Sequence, residues 1–402
     1  MAANNNGHHV SLVLNKFEPS QRLKTISFAM VAIGLIGFVV GLIKNQDRLW
    51  TSYLTSFFYV SCLGLGGFFF TVIQHIAKAG WSASIRRQME AMSSFIPMMV
   101  IGSLVLLAGL KHLYPWADPA FVAENPVIQA KTAYLNTTFL VVRLLVFGLG
   151  VLFFAKAMVG NSIKQDQNGD AQYTHKNLAL SVAYLLFFAL SFSLFSVDLL
   201  MSLMPTWYST IFGIYCFAGL FQSSLAFLIL MLIYIKRKGY VQGYYNQEHI
   251  HDVAKYLKGF TIFWAYIAFS QFMLIWYANI PEETEFYLMR SEGAWMSISV
   301  ALLVLKFIVP FLALLPRGAK RNEGHLILVC VLVLVMQYVD IYWLVYPNFF
   351  EGEVVFGFYE VSILLGFLGL FLLGIQKFYQ NNNMVAIKDP RLHEALHHHV
   401  SY

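Results

Sequence analysis

The sequence predicts an all-α integral membrane protein with about ten transmembrane helices. Of its 402 residues, 58% are hydrophobic and only 12% are charged, about half of the ~25% charged residues in a typical soluble domain. Apolar runs long enough to cross a hydrocarbon core of about 30 Å follow one another along nearly the whole chain. Such a chain must satisfy its backbone polar groups inside helices, because lipid offers no hydrogen-bond partners.

The apolar runs place ten spans along the chain, and only short loops join them. The predicted spans cover 25–43, 53–77, 89–110, 136–159, 178–202, 207–235, 254–277, 295–315, 325–345 and 357–376. Residues 25–376 therefore form one transmembrane domain. Residues 1–24 form an N-terminal tail, and residues 377–402 form a C-terminal tail.

The distribution of charge predicts the orientation of the bundle. Basic residues concentrate in the tails and in the loops on the N-terminal side, for example at 86–87 and 236–238. The opposite loops carry the acidic residues Glu282, Glu283, Glu285, Glu292, Glu351 and Glu353. By the positive-inside rule both termini are expected in the cytoplasm. The formal charge of +6 therefore reflects topology, and no nucleic-acid partner is expected.

An internal repeat divides the spans into two groups. Spans 5 and 9 both end in the letters VD, six residues and a proline, at Asp198–Pro205 and Asp340–Pro347. The span before each carries one basic residue, Arg143 or Lys306. This pattern predicts two parallel four-helix bundles, spans 2–5 and spans 6–9, as in some transporter folds, with spans 1 and 10 flanking them. Chance similarity between apolar helices is the alternative.

Five ionisable residues lie inside the spans, where they are costly and mark pathways or buried pairs. They are Arg143, Asp198, Lys306, Asp340 and Glu360. We expect Arg143–Asp198 and Lys306–Asp340 pairs, one in each four-helix bundle, with Glu360 extending the second. Because carboxylates beside a lysine exchange protons in a low-dielectric bundle, these residues are candidates for a proton path or a quinol proton acceptor. The alternative is two ion pairs that only fix helix packing.

The histidines and cysteines indicate that the chain has no redox centre of its own. A b-type haem needs histidine ligands well inside helices, but the histidines here lie in tails, in loops or at helix ends. The chain has no CxxCH motif, and its three cysteines are scattered through apolar runs, so no metal site is expected. His112, at the end of span 3, is a further proton-path candidate, with a solvated surface histidine as the alternative.

Two stretches of sequence resemble a known family. Residues 263–284 read FWAYIAFSQFMLIWYANIPEET, and residues 196–215 read SVDLLMSLMPTWYSTIFGIY. Both are similar to the F subunit, the second large membrane subunit, of bacterial alternative complex III. The resemblance extends from about residue 25 to Asp389-Pro390-Arg391. That subunit belongs to the polysulfide-reductase membrane-anchor (NrfD-like) class, which has two four-helix bundles and two flanking helices.

The resemblance implies a redox-inert membrane subunit of a quinol-oxidising respiratory complex in the bacterial inner membrane. Expected partners are the other membrane subunits, including a paralogous NrfD-like subunit, periplasmic multihaem cytochrome c and iron–sulfur subunits, a terminal oxidase, and lipid. Haem c and iron–sulfur clusters are expected on those partners. Quinol or menaquinol is the candidate ligand, but its main site is expected in the paralogous subunit, and no quinone-binding residue is assigned here. The polar loop 276–290 would suit docking of a periplasmic partner or would simply be solvated.

A stand-alone secondary transporter, with a site at the interface of the two repeats, is the alternative function. Transporters of that kind show paired interruptions of their helices in both halves. Here Pro97 in span 3 has no counterpart in span 7, and Pro310 in span 8 has none in span 4. This asymmetry favours the respiratory subunit.

Overall fold

The computed structural model describes residues 12–399, and its ten long helices confirm the predicted fold class. Each helix is long and apolar enough to cross a membrane. In order, spans 1 to 10 are Gln21–Lys44, Gln46–Ile76, Arg86–Leu113, Thr137–Asn168, Gln172–Leu203, Phe212–Arg237, Gln247–Ala278, Trp295–Ala313, Glu323–Asn348 and Phe358–Asn381. The connections contain the short helices Pro119–Glu124, Pro126–Gln129 and Pro281–Met289, and the C-terminal tail contains the helix Leu392–Leu396. The strand Val13–Leu14 of the N-terminal tail pairs antiparallel with Val241–Gln242, which follows span 6.

Several spans extend further than their apolar runs predict. Span 2 begins at Gln46 instead of 53, span 7 begins at Gln247 instead of 254, and span 4 ends at Asn168 instead of 159. Asparagine side chains cap these extended starts: Asn45 accepts a hydrogen bond from a backbone N–H in the first turn of span 2, and Asn246 does so in span 7. The boundaries differ because hydropathy detects only the lipid-facing length, whereas capped helices continue into polar turns.

The helices pack as two closed rings of four. Span 2 packs on span 3, span 3 on span 4, span 4 on span 5, and span 5 on span 2; spans 6 to 9 repeat the same cyclic order. The rings join where span 2 meets spans 6 and 9 and where span 5 meets span 6. Spans 2 and 6 are consequently buried along nearly their whole length, whereas spans 1 and 8 are mostly exposed.

The two ends of the bundle differ in what covers them. We call the end that carries residues 12–20 and 382–399 the tail end, and the opposite end, with residues 114–136, 279–294 and 349–357, the connector end. At the tail end the C-terminal segment packs against the bundle, burying Met384, Val385 and Ala395. The described tails therefore form part of the folded structure.

Spans 1 and 10 pack against each other through small residues. A methyl group added at Gly34 would lie 2.3 Å from the backbone of Gly366, so only glycine permits this distance. Ser362 fills the equivalent position against Gly37. Small residues of this kind allow close approach of helix backbones in membranes.

Candidate functional site

Lys306 and Asp340 form a fully buried ion pair in the second four-helix bundle. The Lys306 ammonium also donates to Gln337 Oε1 over 2.6 Å and lies 4.2 Å from the centre of the Trp264 ring. The Asp340 carboxylate accepts from Tyr215 Oη and from Trp264 Nε1, the latter over 3.2 Å. The pair predicted from the repeat is therefore present, and every polar atom of it has a partner.

A π-helical segment, Leu302–Ile308, carries Lys306. Pro310 follows four residues after Lys306, so it offers no N–H to the Lys306 carbonyl, and its ring would clash with that carbonyl in an α-helix. A π-helical turn relieves this conflict, and such turns are frequent at functional sites. The proline thus sets the local backbone on which the lysine side chain is presented.

Arg143 and Asp198 form the corresponding pair in the first bundle. Arg143 Nε lies 2.8 Å from Asp198 Oδ2, and Tyr134 Oη donates to Asp198 Oδ1 over 2.9 Å. The guanidinium stacks between the rings of Tyr134 and Phe139, 3.9 and 4.4 Å from their centres. A tyrosine and a base thus hold the aspartate in both copies of the repeat.

Glu360 does not extend the second pair, and this part of the prediction is wrong. Its carboxylate is fully buried and binds Arg48 through two hydrogen bonds of 2.9 and 2.8 Å, with Tyr346 Oη at 2.9 Å. It also accepts from the backbone N–H of Gly357 over 2.7 Å. Because Arg48 lies in the first turn of span 2 rather than in a loop, the pair joins spans 2 and 10 at the connector end.

His112 lies at the connector end, and its hydrogen-bond partner among the described residues is Asp47 rather than a member of the Lys306–Asp340 or Arg143–Asp198 pair. Its Nδ1 is 2.6 Å from Asp47 Oδ1, and the two side chains are 33% and 73% exposed. The pair is thus close to solvent. Its role as a proton relay remains a prediction.

A third group of buried charges lies at the tail end, and the sequence prediction missed it. Arg87 bridges Glu90 over 2.8 Å and Asp166 over 2.6 Å, while Arg86 pairs with Asp389 of the C-terminal segment. The charge pattern of the sequence predicts both arginines in a loop that sets topology. The available signal was the spacing of Arg87 and Glu90, which places them on one face of a helix.

The connector between spans 7 and 8 folds as a helix, Pro281–Met289, and not as the polar loop that the sequence indicated. Arg290, which follows it, is fully buried and donates to the carbonyl oxygens of Phe286, Trp343 and Leu344 over 2.8–3.1 Å. Burial lowers the pKa of Arg290 to about 9, so its guanidinium remains protonated at neutral pH. Its charge stabilises the carbonyl groups that end span 9.

The first bundle repeats this arrangement with a lysine. Lys131, in the connector between spans 3 and 4, donates over 2.7 Å to the carbonyl oxygen of Pro205, two residues after the end of span 5. Partial burial lowers the pKa of Lys131. In each bundle, a cation from a connector thus binds carbonyl groups near the end of the span that carries the VD motif, span 5 or span 9. The internal repeat therefore extends beyond the spans.

A groove of about 820 Å³ opens on the lipid-facing side of spans 7 and 8, below the Pro281–Met289 helix. Exposed apolar residues such as Phe269 and Leu303 form its rim. Tyr215 and Trp264, which hold Asp340, lie at its inner wall. The groove therefore reaches from the membrane to the side chains around the Lys306–Asp340 pair.

Two features of the polar lining matter for ligand binding. Gln271 is buried, and its amide makes only long contacts, 3.3 Å to Tyr287 Oη and 3.4 Å to Ser209 Oγ. Burial raises the pKa of Tyr287 to about 12, so its hydroxyl stays protonated. That hydroxyl accepts from Gln271, and its own hydrogen has no acceptor within residues 12–399.

Comparison with known proteins adds no family assignment. A scan against models of protein families found no match, and a search of curated proteins likewise found none. Within residues 12–399, no three histidine, cysteine, aspartate or glutamate side chains are arranged to bind a metal ion. These comparisons therefore neither support nor contradict the resemblance to alternative complex III.

Proposed function

We propose that this chain is a redox-inert membrane subunit of a quinol-oxidising respiratory complex of the alternative complex III type. Its Lys306–Asp340 pair exchanges protons within the membrane. The observation that carries the proposal is this fully buried, fully hydrogen-bonded acid–base pair beside a groove open to lipid. The subunit resides in the bacterial inner membrane with its tail end in the cytoplasm, and it anchors periplasmic haem c and iron–sulfur partners.

The chemistry of the two pairs supports different roles for the two bundles. An arginine cannot be deprotonated under physiological conditions, whereas a desolvated lysine readily changes its protonation state. The Arg143–Asp198 pair is therefore a fixed structural contact. Only the Lys306–Asp340 pair has both members able to gain or lose a proton.

The continuity of the helices counts against the transporter alternative. The π-helical segment of span 8 has no counterpart in span 4, which is one unbroken α-helix from Thr137 to Asn168. The two short 3₁₀ turns that interrupt span 3 likewise have none in span 7, which is continuous from Gln247 to Ala278. The broken helices of transporters with inverted or parallel repeats occur in corresponding positions of both halves.

A purification from native membranes tests the proposal. The full chain carries an affinity tag, is extracted in mild detergent, and is examined by haem staining and by mass spectrometry of the co-purifying subunits. We expect c-type cytochromes and a large iron–sulfur protein in the eluate. A chain that elutes alone and colourless, under conditions that keep a known respiratory complex intact, would overturn the assignment.

Variants of the two pairs test the proton-exchange step in the same preparation. Lys306→Arg keeps a cation beside Asp340 but removes a dissociable proton, so quinol turnover should fall at least tenfold. The matched control, Arg143→Lys, should leave turnover within about twofold. Equal loss in both variants, or in neither, would remove the Lys306–Asp340 pair from the mechanism.

A further inference from the structure

A second cavity lies at the connector end of the first bundle, where the connector between spans 3 and 4 meets the end of span 5. It has a volume of about 390 Å³, and its wall includes Lys131, Tyr134, Val197, Ser202 and Tyr208. We call it the span 5 cavity. We propose that it binds an anionic phospholipid, with the phosphate at Lys131 and one acyl chain along span 5. This inference is independent of the respiratory assignment, because it needs only a membrane-spanning chain.

The internal repeat shows how this cavity differs from the equivalent place in the second bundle. There Arg290 is fully buried and donates to three carbonyl oxygens, so its guanidinium is held within the protein. Within residues 12–399, Lys131 donates only to the carbonyl oxygen of Pro205. Because a lysine ammonium has three N–H donors, two of them remain for a ligand in the cavity.

The charges in the wall of the cavity favour an anion. Lys131 is the basic residue among the described residues that line it, and none of those residues is acidic. Partial burial lowers the pKa of Lys131, and no carboxylate in the described part of the chain pairs with it. A phosphate would stabilise the ammonium through charge-assisted hydrogen bonds. A head group with one negative charge and no amine, as in phosphatidylglycerol, therefore matches the wall better than zwitterionic phosphatidylethanolamine does.

Aromatic residues place the cavity at the level of the lipid head groups. Trp207 and Tyr208 line it, and tryptophan and tyrosine are enriched at that level of a bilayer. Trp207 Nε1 already donates to the carbonyl oxygen of Glu283 over 3.1 Å. Tyr208 is exposed, and its hydroxyl has no hydrogen-bond partner within residues 12–399. This hydroxyl is therefore available to donate a further hydrogen bond to a head group.

An apolar stripe on span 5 continues from the cavity along the membrane-facing surface. Leu190, Leu194 and Val197 are spaced four and three residues apart, so they lie on one face of the helix. Leu190 and Leu194 are exposed, and Val197 lines the cavity. An acyl chain can lie along this stripe while the phosphate of the same molecule contacts Lys131. The stripe thus favours a phospholipid over a free phosphate ion.

Native mass spectrometry of the full chain tests the site. The protein is purified in mild detergent and titrated with phosphatidylglycerol, and the fraction of each lipid-bound state is measured. We expect one phosphatidylglycerol to bind more tightly than any other. Lys131→Gln removes the charge but keeps a donor for Pro205, so it should weaken this binding at least tenfold, whereas Lys131→Arg should stay within about threefold. The matched control Lys111→Gln removes an exposed cation at the same end of the molecule and should leave the affinity unchanged.

Further titrations identify the ligand and the place where it binds. Phosphatidylethanolamine with the same acyl chains should bind roughly fivefold more weakly, and an excess of inorganic phosphate should not displace the bound lipid. Ala133→Phe places a large side chain in the cavity wall at an exposed position and should weaken binding roughly fivefold. If Lys131→Gln does not fold, Ala133→Phe decides the question.

Three results would overturn the proposal. The first is equal affinity for phosphatidylglycerol in Lys131→Gln and Lys111→Gln, or an unchanged affinity in Ala133→Phe. The second is binding of phosphatidylethanolamine as tight as that of phosphatidylglycerol. The third is displacement of the lipid by inorganic phosphate, which would indicate a site for small anions.

Discussion

Removal of the Lys306 charge provides the sharpest test of whether its pair with Asp340 is functional or structural. In Lys306→Met the Asp340 carboxylate keeps its hydrogen bonds from Tyr215 and Trp264 but loses its counter-charge in a fully buried site. Gln337 Oε1 loses its 2.6 Å contact with the ammonium. Breaking a buried ion pair from one side costs about 3–5 kcal/mol, so the variant should unfold at clearly lower denaturant concentration.

A second substitution separates stability from function. In Lys306→Met/Asp340→Leu no buried charge remains, and replacement of such a pair by apolar side chains is often neutral or stabilising. Tyr215, Trp264 and Gln337 each lose a partner at about 1 kcal/mol. We expect the double variant to regain most of the lost stability, ending within about 2 kcal/mol of the parent, while quinol turnover stays at least tenfold below it.

The assay combines unfolding by SDS titration with quinol turnover and proton release in the purified complex. The control is Arg143→Met/Asp198→Leu, which removes the corresponding pair of the first bundle and should retain turnover. If Lys306→Met/Asp340→Leu turns over quinol and releases protons normally, the pair is only structural and our reasoning is refuted.

Three further predictions follow from other contacts. Glu360→Gln should lower the free energy of unfolding by about 2–4 kcal/mol with little change in turnover, because it strands the Arg48 charge; SDS titration against the exposed control Glu353→Gln checks this. Pro310→Ala should supply the backbone N–H that the Lys306 carbonyl lacks and stabilise span 8 by up to about 3 kcal/mol, yet lower quinol turnover by displacing the Lys306 side chain. Unfolding and turnover are measured on the same preparation, and a rise in both stability and turnover would contradict the prediction. Asp340→Asn should leave the complex assembled, with haem subunits still co-purifying, but impair turnover; loss of assembly would instead indicate a structural pair.

The sequence predicted those features that depend on repeated local patterns. The ten spans followed from apolar length, and the two four-helix rings followed from the repeated VD motif. The same repeat predicted the partners of Asp198 and Asp340, since each acid has a base on the preceding span. Composition and order along the chain are sufficient for contacts of this kind.

The remaining contacts depend on where helices end and which distant helices meet. Arg48, Arg86 and Arg87 resemble loop charges because the apolar runs begin after them. The helices start earlier, however, so Arg86 and Arg87 are buried and Arg48 is half-buried in the first turn of span 2. The partner of Glu360 lies 312 residues away on span 2, a separation that no periodicity reveals. The groove likewise arises from the way the Pro281–Met289 helix sits over spans 7 and 8, which a polar stretch of sequence does not specify.

The contact between spans 1 and 10 has a consequence for how the protein is made. Span 1 gains its main partner only when span 10 is inserted, since Gly34 packs on Gly366, and Arg48 of span 2 likewise pairs with Glu360 of span 10. Until then Arg48 lacks its carboxylate partner, and an unpaired charge at the membrane is costly. Chains that lack span 10 should therefore hold span 1 only loosely in the bundle, although all of its own residues are present.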